Sequence, residues 1–244
     1  MVITCWSVKG GSGTTVVAAC LGAVAARVAE RMTLLVDLAG DGPAALGVDQ
    51  LTNVGVAEWL AEARTVVAPG VGSWTSIGIG PNAENSGQGD LDTLESRVDD
   101  RLSVLARGGG PVDQLPAVSG ELLAQRLRED GRLVVIDAGT RPPEATSGAT
   151  ERVIAHSDRS LLVIRPCYLA LRHVTRSDRR IDGVVLVTEP GRSLGAADVA
   201  SVAGAPVVAQ VPFEPQVARV VDAGLLCSRV PRSVERALRD VVEG

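Results

Sequence analysis

The sequence predicts an α/β fold, with a mostly parallel central sheet flanked by helices, from three observations. Short β-branched runs alternate with helix-like segments along the 244 residues, as βα units require. Hydrophobic residues make up 45 % of the chain but aromatic residues only 2 %, and such aliphatic runs suit buried parallel strands. A glycine-rich turn joins the first strand directly to the first helix. The length fits one large α/β unit, so we expect residues 1–244 to form a single domain.

The predicted strands and helices alternate from the amino terminus. Runs of β-branched residues bounded by turn residues predict strands at 2–7, 33–38, 102–105, 133–137, 160–164, 183–187 and 206–210. Helical spacing of the apolar residues between them predicts helices at 15–30, 56–62, 119–130, 169–179, 196–202, 215–222 and 233–242. Residues 68–100 are instead rich in Gly, Ser and Asn. There we expect surface loops and a short edge element, either a tolerated insertion or a docking surface.

Charge and cysteine usage exclude several classes of protein. The net charge of −5 argues against a broadly basic surface, so nucleic acid is not the expected default partner. The four cysteines show neither a CxxC pair nor metal-ligand spacing, which is typical of reduced thiols in a cytosolic protein. No apolar run reaches the ~18 residues of a membrane span. We therefore expect a cytoplasmic protein.

The strongest motif is the loop VKGGSGTT at positions 8–15, between the first strand and an apolar helix. Its glycines let the backbone N–H groups turn inward, the helix N-terminus favours anions, and a hydroxyl at the helix start can hold Mg²⁺. A simple tight turn is the alternative interpretation. Lys9 is the only lysine among 24 basic residues, which indicates that a compact ammonium matters in this loop. The loop therefore predicts a phosphate-binding site.

This loop resembles the deviant Walker A motif of the MinD/ParA family of P-loop nucleotide-binding proteins, KGGxGK followed by Thr or Ser. Thr15 takes the position of the magnesium hydroxyl, and Thr14 stands where the family has its phosphate-binding lysine. The remaining matches are Lys9, Gly10, Gly11, Ser12 and Gly13. The resemblance implies that these loop residues bind ATP. It also implies a nucleotide-sandwich homodimer, in which Lys9 acts catalytically on the partner's phosphates.

The segment LLVDLAGD at 34–41 resembles the family's second-strand motif, usually D-x-D. Asp37 matches the first carboxylate, and the resemblance implies a catalytic and metal-binding role for it. Ala39 replaces the aspartate that positions the attacking water. Asp41 is either a substitute for that aspartate or a solvated turn residue before Gly42 and Pro43.

Two further segments extend the resemblance over nearly the whole chain, with residues 68–116 matched least. The run LVVID at 133–137 resembles the Walker B strand, which implies that Asp137 holds magnesium. Thr188 ends the strand whose last residue, usually asparagine, reads the base in the family. Pro212 and Phe213 match the loop beside the adenine. The implied cofactors are therefore ATP and Mg²⁺.

Basic residues crowd positions 172–180, as they do on the DNA-binding surfaces of the ParA branch. A solvated helix face is the favoured interpretation, because Asp178 and Asp182 interleave with these arginines. The last helix mixes both charges and lacks an apolar face with basic flanks. DNA is thus not the favoured partner, and we expect no direct membrane insertion.

The residues replaced in these motifs favour one of three functions. Thr14 and Ala39 cannot perform the chemistry of the residues that they replace, so we favour a positioning or assembly factor with weak or absent hydrolysis. The loop most resembles the CpaE/TadZ branch, which implies partners in pilus or secretion machinery, with septum machinery close behind, and recruitment to a pole or membrane through a partner. The alternatives are an active partition-type ATPase that binds DNA or cargo as an ATP-dependent dimer, and a nucleotide-free scaffold.

Overall fold

A computed structural model describes residues 1–48, 53–66 and 91–243. Its strands are β1 (Val2–Ser7), β2 (Thr33–Asp37), β3 (Glu95–Arg97), β4 (Leu102–Leu105), β5 (Leu133–Thr140), β6 (Arg159–Ile164), β7 (Gly183–Thr188) and β8 (Val207–Pro212). Its helices are α1 (Thr14–Arg27), α2 (Gly42–Ala45), α3 (Val56–Val66), α4 (Ala117–Glu129), α5 (Ala149–His156), α6 (Tyr168–Val174), α7 (Ala196–Ala203), α8 (Pro215–Asp222) and α9 (Arg232–Glu243). Two 3-10 turns lie at Leu91–Leu94 and Val112–Gln114.

The strands form one eight-stranded sheet in the order β3-β4-β2-β5-β1-β6-β7-β8. Every neighbouring pair is parallel except β3 and β4, which run antiparallel at the edge. The predicted α/β class with a mostly parallel sheet is therefore confirmed. Parallel strands place their carboxyl ends at one edge, so the loops after β1, β2, β4 and β5 meet there.

Helices cover both faces of the sheet. The alternation of side chains along β1 sends Ile3 and Cys5 to the face that packs against α1 and α9, while Val2 and Trp6 point to the opposite face. On that opposite face, α3, α4 and α5 cover β2 and β5, while α6 and α7 cover β6 and β7. β1 is buried along its whole length, which fixes the start of the loop that follows it.

The structure corrects several predicted boundaries. β5 continues to Thr140, three residues past the predicted end at Asp137. The predicted helix 169–179 ends at Val174, because the chain then turns inward and buries Arg179 against Trp6. Helix α5 lies in a stretch for which the sequence predicted no element, and α2 is a single unpredicted turn. Most other boundaries agree within two or three residues.

The segment 68–100 is described only in part. Residues 68–90 lie outside the described residues, so the alternatives of a tolerated insertion and a docking surface stay open there. The remainder contains a 3-10 turn and the three-residue strand β3, so the predicted short edge element is confirmed. In the part of the chain that the structure covers, no helix combines the length and apolar character that crossing a membrane requires.

Candidate functional site

A cavity of about 530 Å³ lies at the carboxyl edge of the sheet, next to the loop between β1 and α1. Its walls come from this loop and from the segments that follow β2, β4 and β5. The lining residues are Gly11, Ser12, Gly13, Thr14, Thr15, Val16, Leu38, Ala39, Asp41, Arg107, Pro111, Val112, Asp113, Ala138, Gly139, Thr140 and Arg141. Ligands bind at this edge in α/β sheets, so the cavity is the candidate site.

The glycine-rich loop has the backbone geometry of an anion cradle. Gly11 and Gly13 have φ of +76° and +86°, a left-handed conformation that only glycine adopts readily. Ser12 donates a hydrogen bond from Oγ to the Lys9 carbonyl at 2.7 Å and closes the loop. The first N–H groups of α1 have no acceptor within the helix, and they begin at Thr14 beside the cavity.

The predicted loop residues divide into two groups. Five of them line the cavity: Gly11, Ser12, Gly13, Thr14 and Thr15. Lys9 and Gly10 stand at the exposed start of the loop, outside the cavity wall. Thr14 is buried and carries a short neutral side chain where the resemblance expects a lysine. The loop itself therefore offers no cation inside the cavity.

Asp137 is completely buried in β5, where it pairs with Cys5 of β1, and it does not itself line the cavity. Its Oδ1 accepts a hydrogen bond from the Gly139 N–H at 2.9 Å, but its Oδ2 has no hydrogen-bond partner within the described residues. Burial raises the pKa of Asp137 to about 6, the Thr15 hydroxyl opposes this rise, and the negative charge of Asp37 adds to it. A buried carboxylate oxygen without a partner is suited to a cation.

The residues present fit a magnesium ion that arrives with a phosphate ligand. Among residues 1–48, 53–66 and 91–243, no group of three or more His, Cys, Asp and Glu side chains could hold a metal by itself. Mg²⁺ usually binds one or two carboxylates and completes its shell with water and substrate phosphates. Asp137, with the Thr15 hydroxyl beside it, provides this limited protein contribution.

Asp37 lies deeper than its predicted role requires. Its Oδ1 accepts hydrogen bonds from the N–H groups of Ala39 and Gly40 at 2.9 and 2.7 Å, and its Oδ2 accepts one from Gly42 at 2.9 Å. It is fully buried, and burial raises its pKa although these hydrogen bonds oppose the rise. The observed contacts shape the loop after β2, while catalysis or metal binding by Asp37 stays a prediction.

Asp41 follows Ala39 by two residues in the loop after β2. It is exposed and lines the cavity together with Ala39. Its negative charge contributes to the raised pKa of Asp137, so the two carboxylates lie within electrostatic reach. A role for Asp41 in place of the missing aspartate stays a prediction.

Three charged residues of the cavity did not emerge from the sequence: Arg107, Asp113 and Arg141. Arg107 follows the carboxyl end of β4, Arg141 follows β5, and Asp113 lies in the 3-10 turn between β4 and α4. Their places after strand ends were the signal by which the sequence could have indicated them. Arg141 is almost fully buried and donates from Nη1 to Asp113 Oδ1 at 2.5 Å and from Nε to Glu151 Oε1 at 2.8 Å. These ion pairs hold the segment after β5 in the cavity wall.

The arginine-rich segment 172–180 does not form a uniform basic face. The Arg179 side chain is 7 % exposed, and its guanidinium pairs with Glu151 at 2.7 Å and stacks 5.4 Å from the Trp6 ring. The predicted solvated helix face is therefore wrong for Arg179. Arg176 and Arg180 pair with Glu144 and Asp182, which reduces the charge offered to a polyanion.

Thr188, Pro212 and Phe213 come together at the carboxyl ends of β7 and β8. The Phe213 N–H donates to the Thr188 carbonyl at 2.8 Å, and Thr188 pairs with Pro212 in register. Pro212 and Phe213 line a second, largely apolar cavity of about 280 Å³, which shares Gly13 and Val16 with the first one. The two cavities form an extended site on both sides of the α1 N-terminus.

No protein-family model and no curated protein sequence matches the chain. Solved structures of MinD/ParA-family ATPases do match it. A ParA family ATPase from Chlorobium tepidum TLS has a TM-score of 0.72 at 15 % identity, over 99 % of this chain and 98 % of that one. The MinD cell division protein of Aquifex aeolicus has a TM-score of 0.72 at 16 % identity, over 99 % and 94 %. The septum site-determining protein MinD from Pyrococcus horikoshii OT3, complexed with Mg-ADP, has a TM-score of 0.69 at 17 % identity, over 99 % and 94 %.

These likenesses extend over nearly the whole of both chains, so the fold is that of the MinD/ParA P-loop proteins. At such low sequence identity the likeness establishes the fold alone.

Proposed function

We propose that the chain is a MinD/ParA-like protein that binds ATP with Mg²⁺ and works as a positioning or assembly factor with weak or absent hydrolysis. The observation that carries this proposal is the cavity itself. A left-handed glycine loop and a helix N-terminus stand beside a buried carboxylate oxygen that has no partner among the described residues. A related fold, the Pyrococcus horikoshii protein, is complexed with Mg-ADP, which supports the same class of ligand.

Within this proposal, the nucleotide lies across both cavities. The apolar cavity near Pro212 and Phe213 takes the base, because it is lined mainly by aliphatic side chains. The larger cavity takes the phosphates, because it contains the glycine loop. Asp137 and Thr15 hold the metal, which would neutralise phosphate charge when bound. Thr188 lines neither cavity, and its carbonyl accepts the Phe213 N–H. Base recognition by Thr188 stays a prediction.

The proposed weakness of hydrolysis rests on what the cavity wall lacks. Thr14 supplies no cation to the β- and γ-phosphates, and Ala39 supplies no carboxylate to an attacking water. Electrostatic stabilisation of the transferring phosphoryl group is the main part of this catalysis, so losing a preorganised cation slows turnover strongly. Binding without efficient turnover gives a protein that holds one state for long times.

Calorimetric titration with Mg-ATP and with a non-hydrolysable analogue tests the proposal directly, combined with light scattering and a phosphate-release assay. Binding of both ligands with turnover far below that of working ATPases is the expected result. If neither ligand binds at millimolar concentration, the chain is a scaffold that has kept only the fold. Rapid turnover would instead establish a working ATPase.

A working partition-type ATPase is the second candidate, and the position of Asp41 favours it. This carboxylate lies in the cavity wall and within electrostatic reach of Asp137, so it stands at a place from which a water could be oriented. The ion pairs of Arg176, Arg179 and Arg180 give less support to the DNA-binding part of that function. Phosphate release by the wild-type protein separates the two candidates.

The proposed dimer gives Lys9 a role outside its own subunit. Lys9 is exposed at the start of the loop, so its ammonium is free to reach the phosphates of a second copy. We expect Lys9→Ala to weaken a dimer formed with the ATP analogue by about tenfold or more, because charge-assisted contacts to phosphate are lost. Light scattering with Lys9→Arg as the charge-preserving control checks this. An unchanged dimer would rule out the cross-subunit role.

Restoring the missing cation should strengthen binding. Thr14→Lys places an ammonium in a cavity that has room for it, so we expect the affinity for Mg-ATP to rise by about tenfold or more. Thr14→Met is the matched control, because it adds similar length without charge. Calorimetry on the three proteins checks this prediction. Equal affinities for all three would mean that the phosphates do not approach position 14.

The proposal also covers the partners, the domain organisation and the location of the protein. The missing loop lysine favours the CpaE/TadZ-like branch, and hence partners in pilus or secretion machinery, with a septum apparatus as the alternative. We propose that residues 1–244 act as one domain, that the protein works in the cytoplasm, and that a partner recruits it to a pole or membrane. Affinity capture with the ATP analogue present and absent identifies such a partner.

A further inference from the structure

Arg107 is a cavity residue whose positive charge also reaches the buried Asp37 and opposes the rise of its pKa. It follows β4 by two residues and lines the large cavity together with Thr14 and Thr15. Its Nη1 donates to the Ala39 carbonyl at 2.7 Å, which fixes the guanidinium below the loop after β2. Its Nε is buried and has no hydrogen-bond partner within the described residues. A buried donor of this kind costs stability unless it serves a ligand.

The loop after β2 is shaped to admit this guanidinium. Gly40 has φ of +117°, and a Cβ there would lie 2.7 Å from Arg107 Nη1 and 2.8 Å from its Cζ. A side chain at position 40 would therefore overlap the Arg107 guanidinium and displace it. Gly40 thus leaves room for the guanidinium, and the hydrogen bond to the Ala39 carbonyl holds it there.

The other cavity arginine is not available in the same way. Arg141 donates from Nη1 to Asp113 and from Nε to Glu151, and its side chain is 5 % exposed. The Arg107 side chain makes only the hydrogen bond to the Ala39 carbonyl within the described residues. Its Nε is buried, so Nη2 is the donor that is left for a phosphate in the cavity.

The strand order indicates which phosphate it would meet. Arg107 follows β4, whereas the apolar cavity lies at the ends of β7 and β8, and the glycine loop after β1 lies between them. A nucleotide whose base occupies the apolar cavity must extend its phosphate chain across the loop toward β2 and β4. The terminal phosphate is then the group nearest to Arg107.

We infer that Arg107 binds the terminal phosphate of the nucleoside triphosphate. This inference rests on the proposed function and assigns it a specificity-determining residue. The site then distinguishes a triphosphate from a diphosphate through a residue that comes from β4 instead of the glycine loop. The loop after β2 would then be linked to the same phosphate through the guanidinium, because the Ala39 carbonyl accepts a hydrogen bond from it and Gly40 leaves room for it.

Calorimetric titration of Arg107→Gln with a non-hydrolysable ATP analogue and with ADP, both with Mg²⁺, tests the inference. We expect the affinity for the triphosphate to fall by about tenfold to a hundredfold, the loss of charge-assisted hydrogen bonds, and the affinity for ADP to change by less than about threefold. Arg107→Lys should keep the triphosphate affinity within about tenfold of wild type, since it keeps the charge.

Arg101→Gln is the matched control, because Arg101 precedes the same strand and pairs with Glu30 at the far edge of the sheet. It should leave both affinities unchanged. An equal loss for ATP analogue and ADP in Arg107→Gln, or no loss for either, would overturn the inference while the proposed function stands. A wild-type protein that binds neither ligand would overturn both. Retained ADP binding shows that the Arg107→Gln protein is folded.

Discussion

Replacing Asp137 with asparagine is expected to raise the free energy of unfolding above pH 7 by up to about 3 kcal/mol and to abolish magnesium-dependent nucleotide binding. The first effect follows from the buried charge. Burial raises the pKa of Asp137 from 3.8 to about 6 in the folded protein, and this difference corresponds to about 3 kcal/mol. Asparagine removes the buried charge and its repulsion from Asp37.

The pH dependence of this effect has a definite sign. Between pH 4 and 6 the folded wild-type protein holds a proton on Asp137 that the unfolded chain releases, so the free energy of unfolding falls as the pH rises through this window. Below about pH 4 both states are protonated and the penalty disappears. The stability difference between wild type and Asp137→Asn should therefore be small at pH 4 and largest above pH 7.

Urea unfolding of both proteins from pH 4 to 8, without nucleotide, measures this difference, and calorimetry with Mg-ATP measures the second effect. The variant keeps an oxygen that can accept the Gly139 N–H, so its fold is preserved. A stability difference between the two proteins that is the same at pH 4 and pH 8 would contradict the account of a buried, unpaired charge. A variant that still binds Mg-ATP as tightly as wild type would remove Asp137 from the metal site.

Replacing Glu151 with glutamine is expected to lower the free energy of unfolding by about 3–5 kcal/mol, the cost of breaking a buried ion pair. Glu151 Oε1 accepts from Arg141 Nε and Arg179 Nη2, and its Oε2 accepts from Arg179 Nε. The exposed fractions of the Arg141, Glu151 and Arg179 side chains are 5, 10 and 7 %. Arg179 would then lose its carboxylate partner within the described residues, and Arg141 would keep only Asp113.

The melting temperature should fall by roughly 10 °C in a chain of this size, as thermal unfolding measures. Glu144→Gln is the control, because Glu144 pairs with Arg176 in the open, and its loss should cost about 0.5 kcal/mol or less. Glu151→Gln should also weaken nucleotide binding, since Arg141 holds the end of β5 in the cavity wall. Similar melting temperatures for both variants would show that the network is not a buried unit.

The sequence predicted the parts of the site that come from one continuous segment. The glycine loop needs only its own dihedral angles and the helix that follows it, so its place beside the cavity was predictable from positions 8–15. Asp137 ends an apolar run, and parallel strands present their carboxyl ends at the ligand edge. The alternation of strand and helix patterns likewise predicted most of the sheet.

Helix α5 escaped prediction because its stability is tertiary. It has eight residues, too few to be helical alone, and four of its side chains are buried under α4 and β5. The absence of a side chain at Gly120 lets α4 approach it, since a Cβ there would lie 2.0 Å from the Ala149 carbonyl oxygen. Local patterns contain no trace of such a close approach.

The charged side of the cavity was also decided by the tertiary structure. The Arg107 contact to Ala39 spans 68 residues, and the Arg141 contact to Asp113 spans 28. Sequence patterns give the identity and local geometry of each residue, because dihedral angles and hydrophobic periodicity are local properties. The packing of distant segments decides which charges share a cavity, which carboxylate accepts the hydrogen bonds of a loop and which donor is left without a partner. The sequence by itself therefore determined the fold class and the glycine-rich loop, and only the folded chain placed Arg107 and Asp113 in the cavity wall and Glu151 between two arginines.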